Sequence, residues 1–141
     1  MGWVSYSFFA ALMMAAADIF IKLAAGKLSN NLGVLIYGSG TFVLGLGWTF
    51  WQRIHGVPQH VQTAGVLAAS GVGISFFLVT TSMYLAFEAG APISVASPII
   101  RLGGLLIASF VGLFFLREPL TLRYIAGMAL SCIGIYLIIT R

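Results

Sequence analysis

Apolar residues fill most of the chain, and short polar stretches divide them into five long segments. The segments cover residues 3–24, 32–51, 64–87, 93–116 and 122–140. A transmembrane helix needs about 20 mostly apolar residues, because it crosses a hydrocarbon core about 30 Å thick at about 1.5 Å per residue. The segments are too long and too uniformly apolar for barrel strands, whose side chains would alternate. The pattern therefore predicts an all-α membrane protein with five transmembrane helices.

Polar and turn-forming residues mark the ends of these segments. Lys27 follows the first segment, and a longer polar connection, residues 52–63, follows the second. Gly90 and Pro92 separate the third from the fourth, since glycine ends a helix and proline can open the next. Thr121 can cap the fifth. We predict one domain, residues 1–141, with its termini on opposite sides of the membrane. The N-terminal side is called side A, and the other side B.

Composition agrees with a membrane protein and narrows the possible functions. Hydrophobic residues make up 60% of the chain and charged residues 7%, against about 45–50% and about 25% in soluble domains. The net charge of +4 is spread along the chain, which argues against a nucleic-acid partner. The sequence shows no nucleophile–base pair, phosphate-binding loop or metal-ligand cluster. We therefore expect no enzyme, no metal and no cofactor, with membrane lipids as the surroundings.

The basic residues are balanced between the two sides. Arg53, Arg117 and Arg123 fall on side A, and Lys22, Lys27 and Arg141 fall on side B. Orientation in a membrane follows an excess of Lys and Arg on the cytoplasmic side, and here there is no excess. The balance predicts insertion in both directions and, from that, an antiparallel homodimer. The alternative is that a tail charge or a partner chain fixes one orientation.

Two ionisable residues lie in the first segment. Asp18 and Lys22 are four residues apart, the spacing at which two side chains meet on one helical face. A lone carboxylate at depth costs about 2.5–3.5 kcal/mol on the insertion scale. One interpretation is that Asp18 carries a coupling proton and both residues contact substrate. The other is an ion pair that reaches the side-B interface and anchors the helix.

Arg101 lies inside the fourth segment, soon after Ser97 and Pro98. Proline lacks a backbone N–H and weakens a helix, so a helix break is predicted at Pro98. A buried cation beside freed backbone groups suits an anionic part of a substrate. Arg101 and Ser97 are therefore candidate substrate-binding residues. The alternative is that Arg101 pairs with Asp18 or binds the carbonyls near Pro98.

Hydroxyl groups are frequent in the second half of the third segment. Thr81 and Tyr84 are candidate substrate-binding residues that would line a polar path. The alternative for the threonine is a hydrogen bond to the carbonyl four residues earlier in its own helix. Small residues also recur, at Gly104 in the fourth segment and at Gly127 and Gly134 in the fifth. They predict close packing of these two segments.

The last third of the chain carries the most recognisable motif. Residues 115–121 read F-L-R-E-P-L-T, and a final segment marked by Gly127 and Gly134 follows. Lys22, at the end of a helix rich in Ala, Phe and Ile, fits the same pattern. In these features the chain resembles the EamA-like domain of the drug/metabolite transporter superfamily. One such domain has five helices, so the resemblance covers the whole chain.

The resemblance implies a transport function. Most members of the superfamily look like two such domains fused and inverted, whereas this chain has one and resembles the short members. A secondary transporter of a small organic metabolite is implied, working as a dimer around a central cavity. We expect it in a bacterial cytoplasmic membrane. The alternatives are a flippase for a polyprenyl-phosphate-linked sugar or another lipid, and a membrane subunit that transports nothing.

Overall fold

The computed structural model describes residues 2–115, 117, 119 and 121–140, and over these residues the chain is all-helical. The helices are α1 Trp3–Ala24, α2 Asn30–Ile54, α3 Thr63–Glu88, α4 Ile93–Phe114 and α5 Leu122–Ile139. Each is long and apolar enough to cross a membrane, so the prediction of five apolar helices is confirmed. Four residues named above lie outside the described part: Leu116, Glu118 and Leu120 of the motif, and Arg141 of the charge balance.

The observed ends of the helices do not coincide with the limits of the apolar segments. α2 starts two residues before its apolar segment, at Asn30, and continues through Arg53 to Ile54. Helical hydrogen bonding does not require an apolar side chain, so polar residues can extend the helix beyond the apolar run. α3 ends at Glu88, and Gly90 then adopts φ +92°, a left-handed conformation suited to glycine.

α1, α2 and α3 form one compact unit, and α4 and α5 form a second. In the first unit α3 contacts both α1 and α2. Asn30, at the start of α2, meets Glu88 at the end of α3, so these two helices are antiparallel. α1 reaches α3 where Lys22 lies over the ring of Phe87.

The buried residues of the first unit are concentrated at one end, which we call the Phe87 end. The largest of them, Val34, Met83, Tyr84 and Phe87, are at most 8% exposed. Further along α2 and α3, a side chain added at Gly38, Gly45 or Gly73 would meet no atom within 4 Å. α2 and α3 therefore pack closely at the Phe87 end, while these glycines further along have open surroundings.

The second unit is held by contacts between α4 and α5. Ser109 and Gly112 are the buried residues of α4. Tyr124, in the first turn of α5, donates a hydrogen bond from its hydroxyl to Ser109 Oγ at 2.5 Å. The Thr121 hydroxyl accepts from the Tyr124 amide, which confirms Thr121 as the helix cap.

One expectation for the second unit differs from the structure, and another holds only in part. α4 runs from Ile93 to Phe114 as one helix that includes Pro98, so the helix break predicted there was wrong. Pro98 is the sixth residue of α4, so it removes one i→i−4 hydrogen bond, but its fixed φ is compatible with helical backbone and the neighbouring bonds continue the helix through it. The predicted contact between α4 and α5 is present, but side chains added at Gly104, Gly127 or Gly134 would meet no atom within 4 Å, so these three glycines do not form it.

Candidate functional site

Asp18 is the buried ionisable residue of α1. Its side chain belongs to a helix that is otherwise largely exposed, yet the residue is only 4% exposed. Lys22 follows one helical turn later and is partly buried. Its Nζ lies 5.2 Å from the centroid of the Phe87 ring, a distance at which an ammonium group is attracted to an aromatic face. The last turns of α1 and α3 are thereby joined.

The Phe87 ring that Lys22 contacts belongs to a buried face of α3. Thr80, Tyr84 and Phe87 follow the i, i+4, i+7 spacing of one helical face, and all three are buried. A short turn joins α1 to α2, and α2 is antiparallel to α3, so α1 and α3 run in the same direction. The contact of Lys22 with Phe87 then places Asp18, one turn earlier, at the level of Tyr84.

Gly33 sets the distance between α2 and α3. A Cβ atom at this position would lie 2.6 Å from Cζ and 2.8 Å from the hydroxyl oxygen of Tyr84. Real Cβ atoms do not approach other atoms so closely, and Tyr84 is 6% exposed, with little room to turn aside. Hence α2 can lie against the Tyr84 ring only because residue 33 has no side chain.

The close approach at Gly33 was not among the sequence predictions, although the spacing of residues on α2 carries a signal for it. Asn30, Gly33 and Val34 share one face of α2 by their spacing, and all three face α3 in the structure. The more regularly spaced glycines Gly104, Gly127 and Gly134 of α4 and α5, in contrast, have no atom within 4 Å of an added Cβ. Spacing alone does not show which small residue a neighbouring helix will meet.

A second link joins the same two helices at their ends. Asn30 donates from Nδ2 to Glu88 Oε2 at 2.5 Å, across 58 residues of sequence. Asn30 Oδ1 is buried and has no hydrogen-bond partner among the described residues. An unpaired buried acceptor costs free energy, so this amide is a place where an additional donor would be bound favourably.

Beyond the Tyr84 ring, α2 and α3 border two adjoining open grooves of about 570 and 610 Å³. Both grooves are lined by Val34, Gly38, Phe42 and Phe77. The larger one ends at the amides of Asn30 and Asn31 and includes Thr81. The grooves are therefore apolar along their length and polar at the Phe87 end.

Thr81 lies in the wall of this groove, but its hydroxyl is already engaged. It donates to the carbonyl of Phe77 at 2.8 Å. Ser70 and Thr41 make the same bond to the carbonyl four residues earlier. The hydroxyl donor of Thr81 thus serves its own helix, the second of the two interpretations made from the sequence.

The other predicted residues belong to α4. Ser97 and Arg101 are four residues apart, share one helical face and are partly buried, as is Pro98. The structure thus brings Asp18, Lys22 and Tyr84 to one end of the first unit, while Ser97 and Arg101 lie in the second. In the described part of the chain, no three His, Cys, Asp or Glu side chains lie close enough to share a metal ion.

The fold and composition define the class of protein. Five helices that are long and apolar enough to cross a membrane indicate an integral membrane protein. No family model matches the chain, and neither a curated protein nor a solved structure matches it. The resemblance to the EamA-like domain therefore stays a prediction.

Proposed function

We propose that this protein is a secondary transporter of a small organic metabolite, built as a single EamA-like domain. The observation that carries the proposal is the burial of Asp18, which is 4% exposed within a helix able to cross a membrane. Ionisable residues at such positions are costly and usually mark a pathway for substrate or protons. Asp18 is accordingly assigned the coupling proton.

The remaining candidates receive separate roles in this proposal. Arg101, a cation within a predicted span, binds an anionic group of the solute, and Ser97 on the same face adds a hydroxyl. Tyr84, at the level of Asp18, and Thr81, in the groove wall, shape the path of the solute. Lys22 is bound to the Phe87 ring and helps to position Asp18 one turn away.

The proposal includes an antiparallel homodimer with the termini of each copy on opposite sides of the membrane. Many transporters consist of two inverted repeats that meet around a midplane site. A single five-helix domain corresponds to one such repeat. The total number of basic residues is the same on its two predicted sides, which permits both orientations. Two oppositely inserted copies would supply the complete architecture.

Transport assays with purified protein in liposomes test the proposal. A panel of small organic anions and zwitterions is offered with and without a pH gradient. Asp18→Asn, which keeps the shape of the side chain, should abolish the response of uptake to the pH gradient, and Asp18→Glu should restore part of it. Arg101→Ala should reduce uptake at least about tenfold, the ratio given by loss of one charged hydrogen bond.

Equal amounts of inserted protein, measured for each variant, provide the control. Uptake by Asp18→Asn that still responds fully to the gradient contradicts the role of the carboxylate. Unchanged uptake by Arg101→Ala contradicts anion binding there. Absence of uptake for every solute favours the alternative of a membrane subunit that transports nothing.

A flippase is the second candidate, favoured by the open side of the α2–α3 grooves. Phe42 and Phe77, which line both grooves, are 66% and 53% exposed, so the apolar lining is accessible along its length. A lipid-linked substrate would keep its chain there while its head crosses the membrane. Movement of a labelled polyprenyl phosphate between leaflets, without uptake of soluble solutes, would favour this candidate.

A further inference from the structure

The α2–α3 grooves have the length of one membrane leaflet. On α2 their lining extends from Asn30 to Phe42, and twelve residues of helix rise about 18 Å. Half of a hydrocarbon core about 30 Å thick is about 15 Å. A groove for a helix of a second copy would continue along the whole span, whereas this one begins at a polar end and stops near mid-depth. Its length fits one acyl chain of a lipid.

The polar end of the groove is suited to a headgroup that donates hydrogen bonds. The Glu88 carboxylate is exposed there and uses Oε2 to accept from Asn30. Asn30 Oδ1 has no partner. A primary ammonium group has three N–H donors, so it can replace the Asn30 amide as the donor to the carboxylate, and the amide can then turn and accept from the same ammonium group through Oδ1.

The charges near this end fit a zwitterion. Glu88 is negative, and Lys27, three residues before Asn30 in the turn between α1 and α2, is positive and exposed. An ethanolamine phospholipid carries its ammonium group and its phosphate two carbon atoms apart. The carboxylate would bind the first and the lysine the second. A choline headgroup has the same charges but no N–H donor.

We propose that the larger α2–α3 groove, which ends at Asn30, is a binding site for a membrane phospholipid with a primary-amine headgroup. One acyl chain lies along Val34, Gly38, Phe42 and Phe77, and the ammonium group binds Glu88 and Asn30. The site does not depend on the proposed transport activity, because the lipid is bound and need not cross the membrane.

Native mass spectrometry of the purified full chain tests the proposal. The protein is titrated with two phospholipids that share the same acyl chains and differ only in an ethanolamine or a choline headgroup. The ethanolamine lipid should bind roughly tenfold more tightly, because only it can make the charged hydrogen bonds. Glu88→Gln should reduce this preference to less than about twofold.

Gly38 offers a variant that fills the groove directly. It lines both grooves, and a side chain added there meets no atom within 4 Å. Gly38→Leu should therefore fold and lose binding of both lipids. Gly40→Leu is the matched control, because Gly40 is on the same helix, has equally open surroundings and lines neither groove. It should bind both lipids as the wild type does.

Three results would overturn the proposal. Equal binding of the two lipids by the wild type removes the headgroup site. Unchanged lipid binding by Gly38→Leu would show that the lipid does not bind in the groove. If that variant also loses its dimer, the groove belongs to a contact with a second copy. Competition by glycerophosphoethanolamine, which has no acyl chains, as effective as that of the lipid would show a soluble ligand instead. Should Gly38→Leu fail to fold, the headgroup comparison and Glu88→Gln still decide.

Discussion

Gly33 has the most restrictive surroundings of the glycines for which the structure describes neighbours. The others that lie in helices would accept a Cβ without any contact inside 4 Å, whereas at Gly33 it would enter the Tyr84 ring. The same ring is buried at the level of Asp18. The packing of one glycine therefore determines the position of α2 against the buried face of α3 that carries Tyr84 and Phe87.

Gly33→Ala should destabilise the protein by about 1–3 kcal/mol, the usual cost of overpacking a filled site. Thermal unfolding in detergent measures the change. Gly38→Ala is the matched control on the same helix and should stabilise slightly or have no effect, because its surroundings are open and alanine is the better helix former.

A double variant separates this contact from a general effect on α2. Combined with Tyr84→Ala, which removes the ring, Gly33→Ala should add little further destabilisation, because two residues in contact are not additive. Additive losses would show that the cost of the alanine arises elsewhere.

At the scale of the helices, each unit has a hydrogen bond that joins two of them. Asn30 and Glu88 join α2 to α3, and Tyr124 and Ser109 join α4 to α5. Several other hydroxyls bond within their own helix, as Thr49 and Ser131 do to the carbonyl four residues earlier. The two inter-helix hydrogen bonds are therefore definite targets for mutation.

Tyr124→Phe should lower the stability of the α4–α5 pair by about 0.5–1.5 kcal/mol, the net value of one hydrogen bond. Measured averages within membranes are nearer 0.6 kcal/mol. Tyr136→Phe, on the same helix and 66% exposed, is the control and should change little. Thermal unfolding or protease resistance of the full chain compares the two variants. Equal stability of both would contradict an energetic role for the Ser109 contact.

At the scale of the whole molecule, the balance of charge bears on orientation. The sequence places three basic residues on each predicted side, so a change of one should decide the direction of insertion. Arg53→Ala leaves side B with the excess and should direct the C-terminus to the cytoplasm. Lys27→Ala leaves side A with the excess and should direct the N-terminus to the cytoplasm.

Reporter fusions at the C-terminus, one active in the cytoplasm and one outside it, measure this orientation. For the wild type both reporters should be active, and each of the two variants should silence a different one. A wild type with a single active reporter would contradict dual insertion, and with it the antiparallel dimer.

Much of the architecture could be predicted from the order of residues. The five helices, the turn at Gly90 and Pro92, and the cap at Thr121 each follow from local chemistry: hydropathy over about 20 residues, a left-handed glycine, and a hydroxyl that accepts a backbone N–H. The break expected at Pro98 was wrong, because a proline removes only one hydrogen bond of the helix and its φ is compatible with helical backbone.

The candidate site was predictable only in part. Asp18 stands out because a carboxylate in an apolar segment is costly wherever the helix lies. Its burial, the contact of Lys22 with Phe87, the fit of Gly33 against Tyr84 and the pairing of Asn30 with Glu88 depend on which helices are neighbours. Those contacts join residues 51 to 65 positions apart. In an almost uniformly apolar chain, the spacing of apolar and polar residues does not show which face of a helix meets another helix. Only the tertiary structure decided which helix faces are in contact.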